Sequence, residues 1–111
     1  MTYDSNNIFA KILRGEIPCQ KIHENEYGLA FYDVHPKAPI HALVIPKNAY
    51  ENFEDFCHKA KPEEVLGFLA CITKVTELLK INTSGYRLTS NCGEGGGQEV
   101  PHFHVHLLSG K

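Results

Sequence analysis

The sequence contains no tryptophan and only one methionine, so any core must be built from aliphatic side chains, six phenylalanines and five tyrosines. Neither charge sign is in surplus: 11 basic residues against 13 acidic ones leave a formal net charge of −2. That balance excludes a strongly basic nucleic-acid binder and a polybasic membrane contact. Long hydrophobic runs are missing too. The longest, residues 42–46 and 67–72, fall far short of the roughly 18 residues that a membrane span requires. The first seven residues have neither the basic nor the apolar region of a secretory signal, so a soluble, cytoplasmic protein is expected. The four cysteines, Cys19, Cys57, Cys71 and Cys92, include no C-x-x-C pair, and four reduced thiols are expected, with Cys71 in the core.

What is present is an ordinary globular balance, 42% hydrophobic and 22% charged over 111 residues, without repeats or linkers. One domain spanning residues 1–111 is expected. Apolar residues from Ile8 to Leu13 predict a short amphipathic helix, capped by Asn6 or Asn7 and stopped at Gly15. Strands are predicted over 21–26, 29–34 and 40–45, the last two separated by a rigid loop carrying Pro36 and Pro39. A short helix is predicted within 50–58. Pro62, followed by Glu63 and Glu64, opens the longest helix. Its wide apolar stripe, Val65, Leu69, Ile72, Thr76 and Leu79, predicts packing on a sheet. A turn at 82–85, a strand over 86–91, a glycine-rich loop at 93–97 and a final strand over 100–108 complete the chain. The fold class expected is α+β, a five-stranded antiparallel sheet with one long and one or two short helices.

Histidine is the unusual residue: three of seven fall in His102-Phe103-His104-Val105-His106. On a strand these three share one face at steps of about 6.6–6.8 Å, with Phe103, Val105 and Leu107 on the other. Packing does not explain three imidazoles on one face. Two functional readings remain: a metal site formed by His102, His104 and His106, or nucleophilic catalysis at phosphorus. The glycine-rich run 91–98 leads directly into the histidines, and such backbone can turn several N–H groups onto an anion, which favours phosphate chemistry.

Gly96-Gly97-Gln98 followed by His102-Phe103-His104-Val105-His106-Leu107-Leu108 resembles the signature of the histidine triad (HIT) superfamily, most closely its HINT branch of nucleotide-binding phosphoramidases. The likeness extends through Glu16-Ile17-Pro18, Phe31-Tyr32-Asp33, Pro36 to Pro39 with His41, and Gly85-Tyr86-Arg87. The resemblance implies that His104 is the nucleophile, that His102 orients it with help from His41, and that His106 contacts the α-phosphate. It implies that Asp33 holds the ribose and that Asn91, Gly97, Gln98 and Glu99 surround the phosphate. Ile8, Phe9, Ile12, Ile17, Phe31 and Val34 would form the purine slot. It further implies a purine nucleoside monophosphate, or its phosphoramidate or acyl-phosphate derivative, as ligand. A homodimer would continue the sheet across its interface. No cofactor, metal, nucleic acid or membrane partner is implied. Relatives that hold structural zinc use a C-x-x-C near the start, where this chain has Asn7 and Ala10. The alternative to an enzyme is a non-enzymatic nucleotide-binding or scaffolding protein. Neutral His104 as nucleophile predicts activity that falls through about pH 6–7. His23, His35 and His58 match no motif position and are expected at the surface.

Overall fold

A computed structural model describes residues 3–110 of the chain. Helix α1 (Ile8–Leu13) is capped by Asn7, whose side chain accepts from the Ala10 N–H, and the chain leaves it through Gly15 at positive φ. Strands β1 (Lys21–Glu24), β2 (Gly28–Tyr32) and β3 (Ile40–Pro46) follow. Then come helices α2 (Phe53–Lys59), α3 (Pro62–Leu78) and α4 (Ile81–Ser84), strand β4 (Arg87–Thr89), a 3₁₀ turn (Glu94–Gly96) and strand β5 (Val105–Ser109). The five strands form one antiparallel sheet in the order β1-β2-β3-β5-β4.

Strand alternation gives this sheet two different faces. Ala30, Ala42, Val44, Val105 and Leu107 point to the side covered by α3, where they meet Phe68, Cys71, Ile72 and Val75. Leu29, Phe31, Leu43 and Ile45 point to the other side and pack on Phe9 of α1. Register puts His106 beside Leu43 and Leu108 beside His41, so both histidines stand on the α1 side. Gly28 matters to the first face, because a Cβ there would lie 3.0 Å from the Cys71 Cβ on α3. Burial pushes the Cys71 thiol up to about 11, so it packs as a small apolar group.

Several element boundaries differ from expectation, for identifiable reasons. β1 stops at Glu24 because the Asn25 side chain accepts from the N–H groups of Tyr27 and Gly28 and closes a turn. β2 stops at Tyr32 because Asp33 makes the same kind of turn with the His35 N–H. β4 is shorter than 86–91, since Ser90 and Asn91 spend their side chains on the carbonyls of His104 and Gly96. The expected turn at 82–85 begins instead as the one-turn helix α4, which adds a third short helix. The long helix turns Glu64, Phe68, Cys71, Ile72, Val75 and Thr76 inward, whereas Leu66 and Leu69 are 69% and 51% exposed.

The largest correction concerns the last strand, which starts at Val105 and not at Val100. Its ladder with β3 ends at the Val44–Val105 pair. Beyond it, Pro46 has no N–H to give, and the Phe103 N–H donates to the Tyr50 carbonyl at 2.7 Å. Only His106 therefore lies on the strand. His102 and His104 precede it.

Candidate active site

Between α1 and the adjacent sheet face lies a cavity of about 530 Å³, within the range of small-molecule sites. Its apolar wall contains Ile8, Phe9, Ile12, Ile17, Phe31 and Val34, all six residues expected to form a purine slot. Asp33, His41, His104, His106, Asn91, Gly97 and Glu99 also line it. His102 and Gln98 do not. Cys19, His35, Lys37, Arg87 and Thr89 reach the wall without having been assigned a site role from the sequence. For Arg87 and Thr89 the signal is strand pairing, because Thr89 sits beside His106 and Arg87 beside Leu108. His35 and His58 are exposed, as expected, although His35 also borders the cavity, and His23 is half-buried.

Backbone groups fix which nitrogen of each imidazole carries its proton. The Lys37 N–H donates to His41 Nδ1 at 3.0 Å, so neutral His41 is protonated on Nε2. That Nε2–H faces His106 Nδ1 at 3.0 Å and the Asp33 carboxylate at 3.4 Å. His106 Nδ1 is consequently an acceptor, and its proton sits on Nε2. His104 Nδ1 lies 2.7 Å from the His102 carbonyl, which only accepts. His104 therefore donates from Nδ1 and keeps its lone pair on Nε2. His102 donates from Nε2 to the Pro46 carbonyl at 2.9 Å and accepts at Nδ1 from the Tyr3 hydroxyl.

Electrostatics keep all four rings neutral at pH 7. Burial pushes His102 down to about 4. Burial, reinforced by His104 and His41, does the same to His106. Burial lowers His104 as well, partly opposed by its bond to the His102 carbonyl and by the Asp33 and Glu99 carboxylates. Burial also lowers His41, against the pull of Asp33. The Phe9 ring meets His104 edge-on at 4.9 Å, and the rings of His104 and His106 stand 5.1 Å apart.

This arrangement changes three expectations. His41 stands against His106, not His102, and His102 orients His104 through its main-chain carbonyl while its own ring stays out of the cavity. The glycine-rich loop is not an open cradle: the N–H groups of Gly93, Gly96, Gly97 and Gln98 all bond within the loop. Gln98 is its internal brace, accepting from the Gly93 N–H and donating to the carbonyls of Glu51 and Val100.

The three motif histidines also cannot share a metal ion, because both ring nitrogens of His102 are occupied. A different trio, Asp33, His41 and His106, brings its donor atoms within 4.8 Å of one another. The Lys37 N–H, however, holds His41 in the tautomer that presents a proton, not a lone pair, to that trio.

A family model, the HIT domain, matches residues 14–111. The chain belongs to the HIT family. It is 50% identical to an uncharacterized 13.2 kDa HIT-like protein of Azospirillum brasilense over 110 residues, covering 99% of this chain and 90% of that one. Among solved structures, a HIT family hydrolase from Legionella pneumophila is 40% identical with a TM-score of 0.86, covering 96% of this chain and 94% of that one. A histidine triad nucleotide-binding protein from Candida albicans is 31% identical with a TM-score of 0.82, covering 92% and 73%. The α+β architecture with its five-stranded antiparallel sheet is that of HIT structures.

Proposed function

We propose that this HIT protein is a nucleotide hydrolase of the HINT kind. It cleaves purine nucleoside phosphoramidates or aminoacyl-adenylates through a covalent nucleotidyl-His104 intermediate. One observation carries this reading: His104 is neutral, donates from Nδ1 to the His102 carbonyl and so keeps a lone pair on Nε2 at the cavity wall. In the first step that lone pair forms a P–N bond with the α-phosphorus. The bond from phosphorus to the leaving group breaks, and the leaving nitrogen or oxygen takes its electron pair. His106, protonated on Nε2, supplies a donor to the phosphoryl oxygen or the departing atom. In the second step water attacks phosphorus, the P–Nε2 bond breaks, the proton that water loses restores the one His106 Nε2 gave to the departing atom, and AMP and the neutral His104 imidazole are released.

Asp33 is read as the ribose acceptor and the six apolar residues beside α1 as the purine slot. Asn91, Gly97 and Glu99 border the phosphate, while Gln98 acts on the ligand only through the loop that it braces. A second copy of the chain is the expected partner. Leu66 and Leu69 on α3 are exposed, and so is Leu88 (51%) on β4, an edge strand whose outer side pairs with no other strand among the described residues. A single-domain enzyme of the cytoplasm fits the reduced-thiol reading. No helix among the described residues is long and apolar enough to cross a membrane.

The test is a burst assay with adenosine phosphoramidate, followed by mass spectrometry of the quenched protein. An adenylyl adduct on His104 is expected. AMP binding without any adduct or turnover would overturn the enzyme in favour of a nucleotide-binding or scaffolding protein.

A further inference from the structure

His102 is a buried imidazole without a substrate to touch. Its ring is fully buried and absent from the cavity wall, yet both of its nitrogens are used. One donates to the carbonyl of Pro46 at the end of β3, and the other accepts from the hydroxyl of Tyr3, 99 residues away in the chain. The Tyr3 oxygen in turn accepts from Asn7 Nδ2 at 2.9 Å. Asn7 is itself buried, and its side-chain oxygen caps α1 at the Ala10 N–H, 2.9 Å away. One line of hydrogen bonds thus runs from the cap of α1 through Tyr3 and the His102 ring to the end of β3.

The His102 carbonyl is the group that holds His104 Nδ1. We propose that Tyr3 is a positioning residue for the reaction, fixing the His102 ring so that the His102 carbonyl orients the His104 imidazole. Without the hydroxyl, His102 Nδ1 becomes a buried acceptor with no donor. The ring recovers only by moving its proton to Nδ1, which strips the Pro46 carbonyl of its donor, or by rotating. Either response shifts the main chain to which His104 is tied, and the Phe9 ring lies against both imidazoles, at 6.3 Å from His102 and 4.9 Å from His104. The contact to substrate stays with the purine slot and Asp33, so binding is spared. Tyr3 acts on orientation.

This inference rests on the reading of His104 as nucleophile, and its test separates the two. In Tyr3→Phe, single-turnover adenylylation by adenosine phosphoramidate is expected to fall at least fivefold, with AMP affinity within twofold of wild type. The ring-nitrogen NMR signals of His104 should shift or broaden. Asn7→Ser keeps a capping oxygen on α1 but removes the amide donor to Tyr3, and a smaller effect of the same kind is expected from it. A rate within twofold of wild type, a rate loss with unchanged His104 signals, or an equal loss of AMP affinity would each overturn the proposal. If wild type forms no adduct, the nucleophile reading fails, and the NMR signals alone decide the Tyr3 link: shifted signals support it and unchanged signals overturn it.

Discussion

The Lys37 N–H donates to His41 Nδ1, and that one backbone bond sets the tautomer of two imidazoles. Because Nδ1 of His41 must accept, its Nε2 must donate, and His106 is obliged to receive that proton at Nδ1 and present its own at Nε2. The His102 carbonyl imposes the opposite tautomer on His104. Two histidines 5.1 Å apart are thereby made chemically different, one a lone-pair donor and the other a proton donor, and the Asp33 carboxylate, 3.4 Å from His41 Nε2, favours the same His41 tautomer.

The division of roles makes the effect of removing His104 specific. His104→Ala or His104→Gly is expected to abolish adduct formation and turnover while leaving AMP affinity within about tenfold, since the proposed ribose and base contacts are at Asp33 and the apolar residues beside α1. Isothermal calorimetry and the burst assay measure the two quantities separately. Loss of both together would assign His104 a structural role.

The pH dependence should differ from that of a free imidazole. Burial lowers His104, so the loss of activity on acidification is expected to come at a lower pH than for an unperturbed imidazole, which titrates at about 6.5. Stability follows the same sign. His102 and His106 sit at about 4 in the folded chain against about 6.5 unfolded, so the unfolded state binds more protons between these values. Their contribution is complete above pH 6.5 and is lost as pH falls toward 4. For His102 alone it is about 3 kcal/mol. Urea unfolding at pH 7, 5.5 and 4.5 measures it, and a midpoint that is constant or rises on acidification would contradict this account.

The sheet and the helix order were legible because they depend on local signals: alternation, Pro and Gly punctuation, and the spacing of apolar residues, whereas the cavity residues other than the triad came from resemblance. The six residues that resemblance assigns to a purine slot all line the cavity. The partners that fix the chemistry were not legible. Tyr3, the Pro46 carbonyl and the Lys37 N–H carry no pattern of their own, and two of the three are main-chain groups. Strand periodicity also overreached at His102 and His104. Whether a ladder continues depends on the opposite strand, which here ends in a proline.

Gln98 separates bracing from binding. Its side chain makes three hydrogen bonds to the main chain and lies off the cavity wall. Gln98→Ala is expected to lower the unfolding free energy by about 1–3 kcal/mol. AMP affinity should change by less than about threefold, well under 1.4 kcal/mol. A thermal melt and a binding isotherm of the same variant check both numbers. An affinity loss of tenfold or more with an unchanged melt would restore the direct phosphate contact that resemblance implies.

Asp33 serves a turn and a site at once, and its variants should show both. Its Oδ1 accepts from the His35 N–H at 2.8 Å and closes the turn after β2, while Oδ2 faces the cavity 3.4 Å from His41 Nε2. A ribose whose two hydroxyls donate to this carboxylate gains about 1.5–3 kcal/mol from each bond. Wild type is therefore expected to prefer AMP over 2′-deoxy-AMP by roughly tenfold or more, as about 1.4 kcal/mol per factor of ten requires. In Asp33→Asn the amide oxygen still accepts from the His35 N–H, so the turn survives with a modestly lower melting temperature. The ribose preference should shrink, because a neutral amide is the weaker acceptor. Calorimetry of both nucleotides against both proteins decides the matter. An earlier melt with an unchanged ribose preference would leave Asp33 as a turn residue only, and a wild type blind to the 2′-hydroxyl would overturn the nucleotide pose while leaving the histidine chemistry intact.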